Sequence, residues 1–216
     1  MDGERAKSSG FRARFCRFCG TMKERETTGR GDVTMRDVKH RYRGLPPRTP
    51  EMLYNIVRKF YRGAVSHYDV IQEKKADVRE AWLRRRECGS DQELRQAMTT
   101  LFLEFHLYVT CWLQIEMALY RLARQDERQA EVMERFRETL EKHVKVRELL
   151  DETEACVQAQ WQHDGPGLAC VERDGYRFGD VTFTVDEQSL QDLHALYAAI
   201  MAAREANPPA APTVSG

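Results

Sequence analysis

The twenty residues 101–120 are apolar on nearly every side of the helix that they predict. At about 100° per residue, the polar positions fall on a single narrow stripe. Such a helix must be enclosed by neighbouring elements, so we expect the rest of the chain to cover it. Glu104 and Glu116 lie within the run and argue against a membrane span, which needs about 20 largely apolar residues. The main apolar face contains Leu101, Phe105, Tyr108, Trp112, Ile115 and Leu119, and the polar stripe contains Thr99, His106, Thr110, Gln114, Arg121 and Arg124.

The ends of the long helices carry recognisable signals. Thr49 before Pro50 predicts the start of a first helix, and Gly89 predicts its end. The central helix is expected to begin with a capping box, in which the Ser90 hydroxyl accepts from the Glu93 amide and the Glu93 carboxylate accepts from the Ser90 amide. A third long helix is predicted over residues 127–163. The three are similar in length and have short connections, which indicates an antiparallel up-down-up bundle.

After residue 167 the apolar period changes from that of a helix to that of a strand. Residues 168–173 and 176–178 flank Asp174 and Gly175, a pair typical of tight hairpin turns, and residues 181–185 alternate cleanly. Val181, Phe183 and Val185 are expected to face the bundle. Asp186 then predicts the start of a shorter last helix. The fold class is therefore mainly α: an antiparallel bundle of three long helices plus a shorter C-terminal helix, with a small β-hairpin or meander inserted before the last helix.

The domain organisation follows from these patterns. Residues 1–48 are basic, rich in arginine and without periodicity, so we expect a flexible segment with little packed structure before Pro46 and Pro47. Met35, or Met22, is an alternative start, in which case the residues upstream would be a leader. Residues 49–206 form the helical-bundle domain, with the β insertion at 168–185, and residues 207–216 are expected to be a disordered tail.

Charge and cysteine content restrict the class of function. The chain has 34 Lys and Arg against 34 Asp and Glu, which argues against a general polyanion binder. The first 48 residues nevertheless carry a surplus of seven positive charges. The six cysteines are scattered, and neither a signal peptide nor a stop-transfer segment is recognisable, so a reducing cytoplasm is the expected setting.

A CxxC pair lies within the basic segment. Cys16 and Cys19 have the spacing of half a zinc knuckle. A structural zinc site needs four ligands, and no second pair of Cys or His follows at a comparable spacing. The two cysteines are therefore weak candidates for a metal site.

Carboxylates and histidines of the long helices are the next candidates for chemistry. Glu104 and Glu116 lie at the edges of the central apolar face, where structural salt bridges are favoured over a dinuclear metal site, because no Glu-x-x-His pair accompanies them. His67, His106 and His143 come one from each long helix. This arrangement resembles the bundle metalloproteins of the DinB type, which implies a mononuclear three-histidine site. Those proteins usually space two of their histidines at (i, i+4), and no such pair occurs here.

Arg137 and His143 form a second motif. An Arg followed by a His after four to six residues within a helical bundle is similar in broad outline to the HEPN superfamily, whose active members cleave RNA. The resemblance implies that His143 acts as acid or base while Arg137 stabilises the scissile phosphate. Glu138 departs from the pattern, because the motif's Arg is typically followed by a polar residue such as Asn.

These observations favour a bacterial cytoplasmic helical-bundle protein that works through protein contacts, as a scaffold or regulator, with a protein partner or as a homodimer. No cofactor, no catalytic activity and no membrane contact are expected. The alternatives are a HEPN-like ribonuclease or an inactive relative, for which alone nucleic acid would be a partner, and a DinB-like metal-dependent protein.

Overall fold

A computed structural model describes residues 38–206. Helix α1 (Pro50–Cys88) begins as predicted, since Thr49 Oγ1 accepts a hydrogen bond from the Met52 amide, and it ends at Gly89, whose φ of 73° lies in the left-handed region. Helix α2 (Gln92–Ala123) returns antiparallel to it. The predicted capping box is wrong. The Ser90 hydroxyl instead accepts from the Gln92 amide at 3.4 Å.

The third helix of the bundle is segmented rather than continuous. It consists of α3 (Glu127–Arg135), α4 (Arg137–Leu149) and α5 (Thr153–Asp164). The first break falls at Phe136, which leaves helical geometry at φ −102° and ψ 12° and places its ring at the edge of the core. The second is a 3-10 turn at Leu150–Glu152. A single helix over residues 127–163 is therefore wrong in detail, although the up-down-up course remains.

The β insertion is smaller than predicted. Residues Ala169–Arg173 form a short helix, α6, where a strand was expected, so Asp174 and Gly175 do not form a hairpin turn. The hairpin consists of β1 (Tyr176–Phe178) and β2 (Val181–Phe183), paired antiparallel with Phe178 opposite Val181. Its turn is at Gly179, where φ is 58°. The mainly α fold with a hairpin before the last helix is confirmed.

The hairpin packs its aromatic side chains onto the inner face of α2. Phe102 lies 5.3 Å from Tyr176 and 5.0 Å from Phe178, measured between ring centroids, and Phe105 lies 5.7 Å from Phe183. Phe183 and Val185 are buried and Val181 is half-buried, as the alternation predicts. These rings form the centre of the core. Their removal from water contributes to the stability of the fold.

The last helix, α7 (Glu187–Glu205), begins as predicted. Asp186 Oδ1 accepts from the Ser189 amide at 2.9 Å. The helix buries Leu193, Leu196 and Ile200 and packs against α1 and α3. It therefore completes the bundle on the side where the segmented third helix begins.

A buried lysine fastens α1 to the hairpin region. Lys75 is only 2% exposed, and its Nζ donates to Asp174 Oδ2 at 2.5 Å and to the Val185 carbonyl at 2.7 Å. Burial lowers the pKa of Lys75, and the partner carboxylate opposes that shift. The ammonium group thus joins a residue just before the hairpin to a residue just after it.

The segment before α1 is packed where the sequence predicts little structure. Residues Val38–His40 form a 3-10 turn, and Val38 is buried against Leu113 and Val144. The expectation of no packed structure before Pro46 is therefore wrong for residues 38–45. We call residues 38–48 the arm.

Candidate functional site

The three candidate metal histidines do not converge. His67 Nδ1 lies 3.0 Å from Glu104 Oε2 on one side of α2, and His106 Nε2 lies 3.6 Å from Asp151 Oδ1 on the other. His143 is buried in the core. Within residues 38–206, no group of three or more His, Cys, Asp or Glu side chains could hold a metal ion. Each of the three histidines has a structural environment of its own.

His143 is enclosed by aromatic rings. Its ring stacks on Trp112 with centroids 3.9 Å apart and meets Phe183 edge-on at 5.4 Å. Its Nδ1 lies 2.7 Å from the Thr139 carbonyl and must carry a proton to donate there, so the neutral ring has its lone pair on Nε2. Among the described residues, Nε2 has no partner. Burial lowers the pKa of His143 to about 4, which keeps the ring neutral at pH 7.

Arg137 faces a different environment. Its side chain is 60% exposed and pairs with Glu134. It lines a surface cavity to which His143 does not contribute. The two residues of the predicted HEPN-like motif therefore lie on different faces of α4, one in solvent and one in the core. A substrate phosphate beside Arg137 would not reach the His143 ring in this arrangement.

Cys16 and Cys19, the other metal candidates, lie outside the described residues, as do the alternative starts Met22 and Met35. The predicted salt-bridge role is confirmed for the buried Glu116, whereas the contact of the half-buried Glu104 is an ion pair only when His67 is protonated. Glu104 pairs with His67, and Glu116 pairs with the arm.

The arm delivers Arg41 and Tyr42 to Glu116. The Glu116 side chain is 3% exposed, and its Oε1 accepts from Arg41 Nη2 at 3.0 Å and from the Tyr42 hydroxyl. The Tyr42 ring stacks on Tyr120 at 3.9 Å, and the Arg41 guanidinium lies over the Tyr42 ring at 4.5 Å. Burial and the neighbouring carboxylate raise the pKa of Tyr42, so the phenol stays a hydrogen-bond donor. Sequence analysis missed this cluster, since only the basic charge of the first 48 residues hinted at it.

A cavity of about 290 Å³ opens beside this cluster. Arg41, Arg124 and Arg137 line it together with Glu116, Glu134 and Glu141. Glu116 already binds Arg41, and Glu134 already binds Arg137. The opposite charges of the lining thus largely neutralise one another, and the cavity presents neither a strong anion site nor a group positioned as a catalytic base.

The outer face of α2 is the remaining unusual surface. The expectation of an enclosed central helix is confirmed for Trp112 and Leu119, both fully buried, but it is wrong for Leu103 and Leu107, which are 49% and 47% exposed. Both residues point away from the hairpin side, between α1 and α4. We call the exposed and half-buried residues along this face the outer seam: Gln96, Thr100, Leu103, Leu107, Thr110 and Gln114.

The outer seam is bordered by α1 on one side and α4 on the other. His67 of α1 reaches Glu104, and Asp151 in the turn after α4 reaches His106. Farther along α2, the arm residue Val38 covers Leu113 and the half-buried Met117. The protein therefore covers the apolar face of α2 beyond the seam with its own chain, and within the described residues it leaves Leu103 and Leu107 uncovered.

Comparison with known proteins gives no relative. No family model matches the chain, and neither a curated protein nor a solved structure matches it. None of the helices in residues 38–206 is long and apolar enough to cross a lipid bilayer.

Proposed function

We propose that this protein works by binding another protein chain through the outer seam of α2, as a scaffold or regulator rather than as an enzyme. The observation that carries the proposal is the exposure of Leu103 and Leu107, two adjacent large apolar side chains in the middle of the most buried helix. Two leucines four residues apart on a helix are neighbours and form one continuous apolar patch. Contiguous exposed apolar surface is typical of contact sites between proteins.

Comparison with the other exposed apolar side chains supports the assignment of the contact site to Leu103 and Leu107. Large apolar side chains that are about half exposed in residues 38–206 also include Met52 and Leu83, but these lie near opposite ends of α1. Only Leu103 and Leu107 are adjacent to each other. Burying each leucine against a partner contributes roughly 25 cal/mol for each Å² of apolar area removed from water.

The setting that we propose is cytoplasmic. Cys111, Cys156 and Cys170 are unpaired thiols, and burial raises the pKa of Cys111 to about 11 and that of Cys170 to about 12. These protonated, enclosed thiols act as small apolar residues, a use typical of reducing compartments.

Photo-crosslinking in the native host tests the proposal. A photoreactive phenylalanine analogue at position 103 is expected to give a defined adduct, whereas the same analogue at the exposed position 83 of α1 is not. The adduct must disappear when Leu107→Lys is added, because a charge in the seam opposes burial. Far-ultraviolet circular dichroism checks that the variant remains helical. Equal labelling at positions 83 and 103, or an adduct that survives Leu107→Lys, would contradict the proposal.

A further inference from the structure

The six residues of the outer seam read the same in both directions. Their order is Gln, Thr, Leu, Leu, Thr, Gln, and their spacing is four, three, four, three, four. Gln96 and Gln114, Thr100 and Thr110, and Leu103 and Leu107 are therefore each equidistant from position 105. The sequence pattern of this face has the symmetry that a two-fold axis imposes on an interface between identical chains.

From this we infer that the partner of the outer seam is a second copy of this chain, with the two α2 helices packed antiparallel about a two-fold axis at the height of Phe105. This inference rests on the proposed function and names its partner. In this register Leu103 of one copy packs against Leu107 of the other, Thr100 lies opposite Thr110, and Gln96 lies opposite Gln114. The alternating spacing of four and three is that of a coiled-coil seam, in which such pairs meet directly.

The polar members of the seam can be buried at little cost. Thr100 Oγ1 donates to the Gln96 carbonyl at 3.1 Å, and Thr110 Oγ1 donates to the His106 carbonyl at 2.7 Å. Because both hydroxyls already bond to their own helix, burying them leaves no new unpaired donor. The Gln96 and Gln114 amides can bond to each other across the axis, where they would fix the register in the way that buried polar residues do in coiled coils.

The charges around the seam permit a second copy. None of the six seam residues is charged, and a two-fold axis places each flank of α2 opposite the same flank of the other copy. Glu104 on the α1 flank is already paired with His67, and Asp151 on the α4 flank is paired with His106 and Arg147. Asp151 thus carries the cation Arg147 with it. The two Glu104 carboxylates face each other across the axis, and the His67 beside each is a counter-charge only when its imidazole is protonated.

The area that the seam can bury limits the affinity expected for the dimer. From residue 96 to residue 114, α2 is about 27 Å long and about 10 Å wide, so the helix alone covers on the order of 300 Å². A stable interface needs roughly 800 Å² on each partner. The flanks on α1 and α4 must supply the remainder, and we therefore expect a reversible dimer of roughly micromolar affinity.

Sedimentation of two charged variants of the full chain tests the antiparallel register. Leu103→Lys and Leu107→Glu should each weaken self-association at least tenfold, since each homodimer would bury two charges against leucine. Mixing the two variants should restore association, because the introduced lysine and the introduced glutamate meet across the axis and the other pair remains Leu with Leu. Leu83→Lys, which changes an equally exposed leucine of α1, should leave dimerisation the same as in the unmodified chain.

Four results would overturn the inference. A mixture of Leu103→Lys with Leu103→Glu that dimerises better than Leu103→Lys with Leu107→Glu would establish a parallel register. Dimerisation that neither single variant weakens would place the interface elsewhere. If the chain is monomeric at every concentration and its photo-crosslinked adduct at position 103 contains a different protein, the second copy is refuted and the proposed function stands. If neither self-association nor an adduct is found, the inference and the proposed function are both refuted.

Discussion

Arg41 and Glu116 lie 75 positions apart in the sequence, yet Arg41 Nη2 is 3.0 Å from Glu116 Oε1. This ion pair fastens the arm to the central helix. The hydrogen bonds and charge of Glu116 raise the pKa of Arg41 above its usual value against the opposing effect of burial. The arm is thus part of the folded domain and not a linker to it.

Removal of the guanidinium should leave a buried carboxylate without its cation. We expect Arg41→Ala to lower the free energy of unfolding by about 2–3 kcal/mol, somewhat below the loss typical of a fully buried pair, because about a fifth of the Arg41 side chain is exposed. Urea denaturation measures the loss. Lys39→Ala is the matched control: its salt bridge to Glu148 is largely exposed and should contribute less than about 1 kcal/mol. Equal losses for the two variants would contradict a structural role for the arm.

The buried imidazole of His143 should make stability depend on pH. The unfolded chain binds a proton at His143 below about pH 6.5, whereas the folded chain resists protonation down to a pKa of about 4. Stability is therefore lost as the pH falls from 6.5 towards 4, by about 2 kcal/mol between pH 7 and pH 5. His143→Phe, which keeps a ring on Trp112, should flatten the curve in this range.

Chemical denaturation at several pH values measures the slope of the free energy of unfolding against pH. A change at the exposed His194, such as His194→Gln, should leave the contribution of His143 in place. If His143→Phe retained the slope of the unmodified chain between pH 7 and pH 5, the buried neutral histidine would not be its source.

Asp174 should stabilise the fold by neutralising the buried charge of Lys75. Asp174→Asn keeps the shape of the side chain and tolerates the left-handed φ of 48° at this position, but it leaves the Lys75 ammonium buried without a counter-charge. We expect a loss of about 2 kcal/mol and recovery of most of it in the double variant Lys75→Met/Asp174→Asn. Asp77→Asn, which removes an exposed pair with Lys74, should cost much less than Asp174→Asn. Thermal or urea unfolding that ranks Asp77→Asn as the more damaging change would refute this role of Asp174.

The position of the hairpin turn can be tested with two alanines. Gly179 has a φ of 58°, and an added Cβ would lie 3.4 Å from Leu149 Cδ1. Gly179→Ala should therefore cost about 1–2 kcal/mol. Gly175 has no left-handed φ, and Gly175→Ala should cost less than half as much. The reverse order in equilibrium unfolding would favour the hairpin turn that the sequence pattern predicts.

Elements specified by local signals could be predicted from the sequence. Thr49 and Asp186 begin α1 and α7 by accepting amide hydrogen bonds, and Gly89 ends α1, because these residues act on their immediate neighbours. The enclosed side of α2 also follows from its apolar content.

The features that depend on distant contacts could not be predicted. No Gly or Pro marks the break at Phe136, which follows from the packing of its ring at the core. Residues 169–173 are too few for apolar alternation to separate a strand from a short helix. The arm binds Glu116 across 75 positions, and the separation of Arg137 from His143 depends on which face of α4 the core covers. The exposure of Leu103 and Leu107 likewise depends on where α1 and α4 pack against α2.

The association state of the unmodified chain tests the role of the outer seam most directly. Sedimentation equilibrium over a range of concentrations spanning roughly 0.1–100 µM should give a mass that rises from 25.2 kDa towards twice that value. Leu107→Glu should hold the mass near that of one chain over the same range. An unmodified chain that stays at 25.2 kDa throughout, or a Leu107→Glu variant that associates as well as the unmodified chain, would contradict self-association through the seam.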